Sequence, residues 1–334
     1  MKKRLCALSL AAVLLSACAN TVETQDRRET KTLQMAVQEG VSENSVLAAE
    51  LFASKVEELS DGSLTIRLSS IDNPVDELGG FDIALMTNEE ISRISGNFSS
   101  YSSPFYFNDY RHLSLSLNSQ SFTDIIRDST LSLIDALPIA ALYDGSSMLV
   151  SAREVLLDTM DSFEEVTICI ESDEQLKYIL EELGAKTVSR SQPDRIASFN
   201  SGRYYAIECG TAELDQLVIP PKNEEITISD VFCSARINWI FLSQSAREGL
   251  SEFEQAVIDE AIAYAVFEND RAVLEKENSS RSEVERIGGK FITTNYGEFS
   301  EISEGLLKES VKYNSLWDWE MHAQVRKLAL RSGA

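Results

Sequence analysis

Few side chains in this 334-residue sequence are of the types that perform acid–base, nucleophilic or metal chemistry. His112 and His322 are the only histidines, and neither has the cysteine or carboxylate spacing of a zinc site. No GxSxG motif accompanies them, so a Ser-His-Asp arrangement has no visible nucleophile. Because an enzyme needs a nucleophile and a base in one cleft, we expect a protein that is not an enzyme and that holds no metal or other cofactor.

The N-terminus has the features of an export signal. A basic segment at residues 2–4 (KKR) precedes an apolar run that ends at Leu15 and is too short to span a bilayer. The small residues Ser16 and Ala17 then precede Cys18, whose thiol is able to form a thioether to diacylglycerol. This pattern resembles the lipobox of bacterial lipoproteins.

We therefore predict a lipoprotein signal peptide at residues 1–17, lipidation of Cys18 and a flexible tether at 18–30. Acyl chains such as palmitate would then anchor the mature protein to a bacterial membrane, outside the cytoplasm. An ordinary secretory signal, in which Cys18 is incidental, is the alternative.

The composition is strongly acidic. The formal net charge is -24, and it becomes -27 when the three positive charges of the predicted signal peptide are removed. Such a surface repels nucleic acid and anionic lipid headgroups. We therefore expect no nucleic-acid partner, and contact with the membrane only through the lipid anchor.

Three cysteines remain after Cys6 and Cys18, namely Cys169, Cys209 and Cys233. One pair of them could form a disulfide in an oxidising compartment. Their odd number and the lack of CxxC spacing favour buried free thiols instead.

From Lys31 onward the hydrophobic pattern alternates between the periods of strands and helices. The first unit predicts a strand at 32–37, a helix with Asn44 or Ser45 as its N-cap and Gly62 at its end, and strands at 64–68 and 81–86. Later segments predict strands at 138–143, 147–150, 166–170, 186–188 and 291–294, and helices at 172–183, about 192–199, 251–287 and 299–313. A βαβ start of this kind predicts an α/β fold with a parallel, doubly wound sheet.

Several segments, taken in order, resemble the extracytoplasmic solute receptors of TRAP transporters, the family of four-carbon dicarboxylate binding proteins. They are 59–68 (LSDGSLTIRL), 103–112 (SPFYFNDYRH), 143–145 (YDG), 183–185 (LGA), 197–202 and 250–265 (LSEFEQAVIDEAIAYA). The resemblance extends over about residues 31–310.

This resemblance implies an α/β, two-lobed periplasmic-binding-protein-like fold with mixed sheets, crossover strands and a long bridging helix. It implies lobe 1 at residues 31–142 plus about 235–270, lobe 2 at 143–234 plus about 288–313, and a C-terminal extension at 314–334. It also implies a receptor that binds a small solute in the cleft between the lobes and delivers it to TRAP permease subunits.

The sequence departs from the family where the solute's carboxylate is bound. In the family an arginine on a strand written G-L-K-I-R clamps that carboxylate, and Cys169 holds its position here. Ser147 holds the position of a second arginine, and Glu208 or Cys209 stands where an asparagine is often found. A buried anion without a charge partner is strongly destabilised, so we do not expect a conventional organic acid as the ligand.

Three alternatives remain open for the pocket. Arg236 or Arg153 supplies a displaced cation; or the solute is neutral or cationic; or the protein is a ligand-sensing or scaffolding lipoprotein without a transport role. The candidate ligand-binding residues are Phe105, Tyr143, Ser147, Cys169, Glu208, Arg236 and Trp239.

Overall fold

The computed structural model describes residues 30–74, 80–152, 155–218 and 225–332. Cys18, the predicted signal peptide, nearly all of the predicted tether, and Arg153 lie outside these residues. The strands are β1 (Lys31–Gln38), β2 (Leu64–Ile71), β3 (Ile83–Thr87), β4 (Ala136–Ala152), β5 (Thr167–Ile170), β6 (Lys186–Ser189), β7 (Ala206–Gly210), β8 (Ile226–Ser229), β9 (Ser234–Ser243) and β10 (Gly289–Ile292). The helices are α1 (Glu43–Leu59), α2 (Asn88–Ser92), α3 (Tyr110–Leu117), α4 (Gln120–Ile134), α5 (Glu174–Glu182), α6 (Gln192–Asn200), α7 (Gln244–Gly249), α8 (Glu252–Arg286), α9 (Tyr296–Glu309), α10 (Val311–Asn314) and α11 (Trp319–Ser332).

A mixed sheet runs through the molecule in the order β2-β1-β3-β9-β4-β7-β5-β6, and β8 joins β4 to β10. We call β1–β3 with α1–α4 the first lobe, and β5–β8 and β10 with α5, α6 and α9 the second lobe. The parallel pairs lie within the lobes, whereas β4 and β9 pair antiparallel with each other and connect the lobes as crossover strands. The two-lobed α/β fold with mixed sheets is confirmed, and the expectation of a purely parallel sheet is wrong at these crossover strands.

The first lobe begins with the predicted βαβ unit, although its helix starts earlier than predicted. Ser42 is the N-cap of α1, because its backbone is extended and its Oγ accepts a hydrogen bond from the Ser45 amide at 3.2 Å. Asn44 and Ser45 therefore lie inside the first turn. The Ser45 hydroxyl instead accepts a hydrogen bond from Asn238 at 2.8 Å, a tertiary contact that the local pattern does not reveal.

The two strands predicted at 138–143 and 147–150 form one continuous strand, β4. Gly145 adopts a φ of +102°, and the register with β9 shifts between Tyr143 and Ser146. This left-handed conformation favours glycine, and a Cβ at this position would also lie only 3.2 Å from Nη2 of Arg236. The glycine thus marks a bulge within the crossover rather than the end of a strand.

The long helix predicted at 251–287 is the single helix α8. Ser251 and Glu254 form a capping box at its start, with the Ser251 hydroxyl accepting from the Glu254 amide at 3.2 Å. The N-terminal part of α8 packs Ile258 and Ala261 into the core of the first lobe. Further along, Val273 and Val284 join the large cluster that includes the crossover strands. The helix therefore braces both lobes.

The C-terminal extension is also part of the fold. Met321 and Val325 of α11 are buried in the large core cluster, and Trp317 is buried in the core of the second lobe. The helix predicted at 299–313 is divided by Ser310, which separates α9 from α10. No helix in the described ranges combines the length and apolar character needed to cross a membrane.

Candidate functional site

A cleft of about 690 Å³ opens between the lobes, where β1, β3 and β5 end and are followed by helices. In α/β proteins, ligands bind outside the carboxyl ends of parallel strands, and pockets of this size hold small molecules. The side chains that shape the cleft most directly are Ser42, Asn88, Asp144, Asp173, Gln175 and Arg236.

The first-lobe wall of the cleft includes the side-chain amide of Asn88, whose hydrogen bonds fix its orientation. Asn88 is 6% exposed, and its Nδ2 donates to the Phe98 carbonyl at 2.8 Å. Its Oδ1 accepts a hydrogen bond from Nε1 of Trp239 at 2.8 Å. Because both ends of the amide are engaged, Asn88 is fixed in one orientation.

The floor of the cleft is formed by the crossover strands. Nε and Nη2 of Arg236 donate to the backbone carbonyl of Asp144 at 3.3 and 3.2 Å, and the Asp144 carboxylate lies 4.0 Å from Nε. The Ser42 hydroxyl donates to that carboxylate. Burial raises the pKa of Asp144 despite these favourable partners.

The second-lobe wall begins at Asp173, the N-cap of α5. Its Oδ1 accepts hydrogen bonds from the amides of Gln175 at 2.8 Å and Leu176 at 2.9 Å. Burial raises the pKa of Asp173 to about 6. The neighbouring carboxylates of Glu208 and Glu171 also raise it, whereas the hydrogen bonds from the two amides lower it without offsetting the burial. A carboxyl group is thus held near other negative charges at the cleft.

The mouth of the cleft is completed by the segment 312–318, which we call the C-terminal strap. Lys312, Tyr313 and Leu316 line the cleft. Nε1 of Trp317 donates to the Ser99 hydroxyl at 2.7 Å, which ties the strap to the first lobe. Residues 314–318 of the strap belong to the predicted C-terminal extension, for which the sequence offered no role.

Three of the predicted ligand-binding residues lie at or directly under the cleft, namely Arg236, Ser147 and Glu208. Arg236 lines it, whereas Glu208 is only 5% exposed and accepts a hydrogen bond from the Ser147 hydroxyl at 2.8 Å. The other oxygen of Glu208 accepts from the backbone amide of Glu171, which is part of the cleft wall, at 3.0 Å. Glu208 and Ser147 therefore support the wall from beneath.

The other predicted ligand residues are buried in the cores. Phe105 packs against Phe299 with ring centroids 5.1 Å apart, and Trp239 packs edge-on against Phe98 at 4.9 Å. Tyr143 is 1% exposed, and its hydroxyl donates a hydrogen bond to the Glu277 carboxylate. These three aromatic side chains do not line the cleft. The prediction was wrong for them because an aromatic residue has the same sequence signal in a core as in a ligand cage.

Cys169 occupies a buried position on β5, and burial raises the pKa of its thiol. Glu165, four residues earlier, has a φ of +63° at the place where the family motif has glycine, which supports the alignment of Cys169 with the family arginine. Cys169, Cys209 and Cys233 are all free and buried, as expected.

Arg195 is a buried cation that the sequence did not single out. It is 1% exposed, and its guanidinium donates to the carbonyls of Glu208 at 3.0 Å and Arg190 at 2.9 Å. Nη2 lies 3.4 Å from a carboxylate oxygen of Glu171. All three guanidinium nitrogens therefore have protein partners, so Arg195 acts as a support for the cleft wall.

On the opposite side of β4 lies a second buried carboxylate, Glu277 of α8. It accepts hydrogen bonds from the Tyr143 hydroxyl at 3.0 Å, the Ser146 amide at 2.8 Å and the Ser146 hydroxyl at 3.0 Å. The Arg236 guanidinium also lowers its pKa, although burial leaves that pKa raised overall. We call Glu277, Tyr143 and Ser146 the hinge network.

No protein-family model matches the chain, and no curated protein matches it either. Solved structures do match it over nearly its whole length. A TRAP periplasmic solute-binding protein from Ochrobactrum anthropi, with its C-terminus bound in the ligand-binding pocket, has a TM-score of 0.71 at 15% identity and covers 91% of this chain and 96% of its own.

Two further neighbours are of the same class. The apo open structure from Escherichia fergusonii has a TM-score of 0.68 at 16% identity, covering 90% of this chain and 100% of its own. The protein from Xanthobacter autotrophicus Py2, solved with bound β-D-galacturonate, has a TM-score of 0.61 at 15% identity, covering 89% of this chain and 99% of its own. The chain therefore has the two-lobed fold of TRAP periplasmic solute-binding proteins.

Proposed function

We propose that this protein is an extracytoplasmic solute-binding receptor that takes up a small solute in the cleft between its lobes and delivers it to a TRAP-type permease. The observation that carries this proposal is the cleft of about 690 Å³ at the strand ends of both lobes. Its walls are polar and held by buried hydrogen bonds, and two crossover strands and one long helix connect the two lobes that would close over the solute.

The anchor belongs to the same proposal. The basic segment, apolar run and Cys18 together favour a lipoprotein whose receptor part is held near the membrane. The proposed boundaries are 31–142 plus about 235–270 for lobe 1 and 143–234 plus about 288–313 for lobe 2. Their junctions fall close to the bulge at Gly145 and the start of β9.

The direct test is to purify the full chain from its own cells, denature it and analyse the released small molecules by mass spectrometry. We expect one solute in stoichiometric amount, and addition of that solute to the refolded protein should raise Tm by mass action. Ser172→Trp, which places an indole in the cleft, should abolish the release. Ser282→Trp, on the exposed face of α8, is the matched control and should retain the solute.

Absence of any released solute from the wild type and the Ser282→Trp control would contradict the receptor function. A sensing or scaffolding lipoprotein of the same fold would then be the better hypothesis. For the anchor, Cys18→Ala should move the protein from the membrane fraction to the soluble fraction, as measured by fractionation and by the loss of the acyl mass.

A further inference from the structure

Several side-chain hydrogen-bond donors that line the cleft are already used within the protein. Asn88 Nδ2 donates to Phe98, and Gln175 Nε2 donates to the Ser99 carbonyl at 3.3 Å. The hydroxyls behave in the same way, because they donate to protein acceptors: Ser42 to Asp144, Ser92 to Asn88, Ser99 to Gly96 and Ser102 to Ser99. What these side chains still offer to a solute is mainly lone pairs.

One acceptor in the cleft has no partner. Oε1 of Gln175 is a buried atom without a hydrogen-bond donor among the described residues. A buried amide oxygen left unpaired costs free energy, which a donor from a bound solute would recover. The second-lobe wall therefore holds an acceptor without a donor among the described residues.

Carboxylates outnumber cations along the cleft. Asp144 and Asp173 are the more buried members of the acidic set, which also includes the exposed Glu89, Glu171 and Glu174. The cations that line it are Arg236 and Lys312. Because opposite charges attract strongly in a partly dehydrated cleft, this balance favours a positively charged solute.

Arg236 does not serve as a free clamp for an anion. Its guanidinium donates twice to the Asp144 carbonyl, and its charge favours the ionised carboxylates of Asp144 and Glu277. Arg195, the other buried cation beside the cleft wall, is held by Glu171 and two carbonyls. Arg195 is thus fully committed to protein acceptors, and Arg236 is committed through two of its three guanidinium nitrogens.

We propose that the cleft takes a solute that carries an ammonium or another cationic donor group, with Asp144 and Asp173 as its counter-charges and Gln175 Oε1 as an acceptor. This inference rests on the proposed receptor function and specifies the chemical class of its ligand. It differs in charge from the uronates bound by several of the structural neighbours.

The test uses the full chain and two matched pairs of probes at equal concentration and ionic strength. Putrescine and succinate have the same carbon chain length with two ammonium or two carboxylate groups, and D-galactosamine and D-galacturonate share a sugar ring. We expect an ammonium probe to raise Tm and its carboxylate counterpart to leave Tm unchanged. The apparent affinity for the ammonium probe should fall about tenfold or more in Asp144→Asn and Asp173→Asn.

Both variants keep the size of the side chain and an acceptor oxygen, so the caps at Ser42 and α5 remain possible. Glu301→Gln, an exposed acidic residue of α9 outside the cleft, is the control and should bind like the wild type. A Tm rise with a carboxylate probe, or none with either ammonium probe, would overturn the charge assignment.

Electrophoresis at neutral pH of the solute released from the native protein separates the two proposals. A cationic solute supports both, and an anionic solute overturns this inference while the receptor function stands. If no solute is released and no probe binds, the receptor function itself fails.

Discussion

The buried carboxylate of Glu277 in the hinge network and the half-buried carboxylate of Asp173 at the cleft differ in what surrounds them. Glu277, in the hinge network, is 4% exposed and accepts three hydrogen bonds, and Arg236 adds a positive charge nearby. Asp173, on the cleft side, accepts two amide hydrogen bonds at one oxygen, and its neighbours Glu208 and Glu171 are negative.

Glu277 is therefore a structural carboxylate, whereas the negative charge of Asp173 is not neutralised by the groups around it. Every neighbour of Glu277 offsets the cost of burying it, so its removal leaves donors unpaired. Two neighbours of Asp173 add to that cost. A position of this kind is expected where a side chain serves binding rather than stability.

The largest expected effect is at the hinge network. Glu277→Ala should lower the free energy of unfolding by about 3 to 5 kcal/mol, because the Ser146 amide and the Tyr143 hydroxyl lose their buried acceptor. Chemical denaturation measures this change. Glu275→Ala removes an exposed carboxylate from the same helix and should cost less than about 1 kcal/mol. Equal losses in the two variants would mean that Glu277 is not structural.

A smaller effect is expected at the C-terminal strap, which completes the mouth of the cleft. A Cβ at Gly96 would lie 2.7 Å from the Leu316 carbonyl oxygen and 2.9 Å from its Cβ. Gly96→Ala should therefore displace the strap and destabilise the protein by about 1 to 3 kcal/mol, as measured by Tm. In Gly305→Ala the new methyl group meets no atom within 4 Å on helix α9, so this control should stabilise by about 0.5 to 1 kcal/mol. An unchanged Tm in Gly96→Ala would show that the strap is not closely packed.

The smallest effect, and one of opposite sign, is expected at Asp173. Its folded pKa of about 6 exceeds the ordinary value of 3.8, so the folded state gains stability below pH 3.8 relative to neutral pH and loses that gain as pH rises to about 6. Asp173→Asn should therefore stabilise the solute-free protein by about 1 to 2 kcal/mol at neutral pH, since Asp173 keeps some contact with solvent.

Denaturation curves of Asp173→Asn and the wild type between pH 3.5 and pH 7.5 check this prediction. The stability difference should be small at the acidic end and reach its full size above pH 6. A variant that is less stable than the wild type at neutral pH would show that the Asp173 carboxylate is needed by the fold, as Glu277 is.

The sequence predicted most of the fold because that information is local. The helical period over 251–287 and the alternation at 64–68 identified α8 and β2 closely. The bulge at Gly145 was read as a break between strands, because a glycine has the same local signal in a turn and in a bulge. The docking of the strap and α11 depends on tertiary contacts, which no local period encodes.

The candidate site was predicted less well, for a different reason. Arg236 lines the cleft, whereas Phe105, Tyr143 and Trp239 are buried in the cores. Asp144 and Asp173 were missed, although each stands at a recognisable place: Asp144 directly precedes the crossover glycine, and Asp173 is a helix cap after a strand. A helix N-cap residue that follows the carboxyl end of a buried strand is a sequence signal for a residue at the cleft.

The pairing of β3 with β9 has a consequence for the order in which the chain can fold. Thr87 lies opposite Asn238, so the edge of the first three strands stays open until strands β5–β8 of the second lobe have been made. Closing so distant a contact is slow, and an open strand edge invites pairing with other chains. A fragment that stops before β9 should therefore aggregate. The first lobe, although it comes first in the sequence, should be completed only after strands β5–β8 of the second lobe have been made.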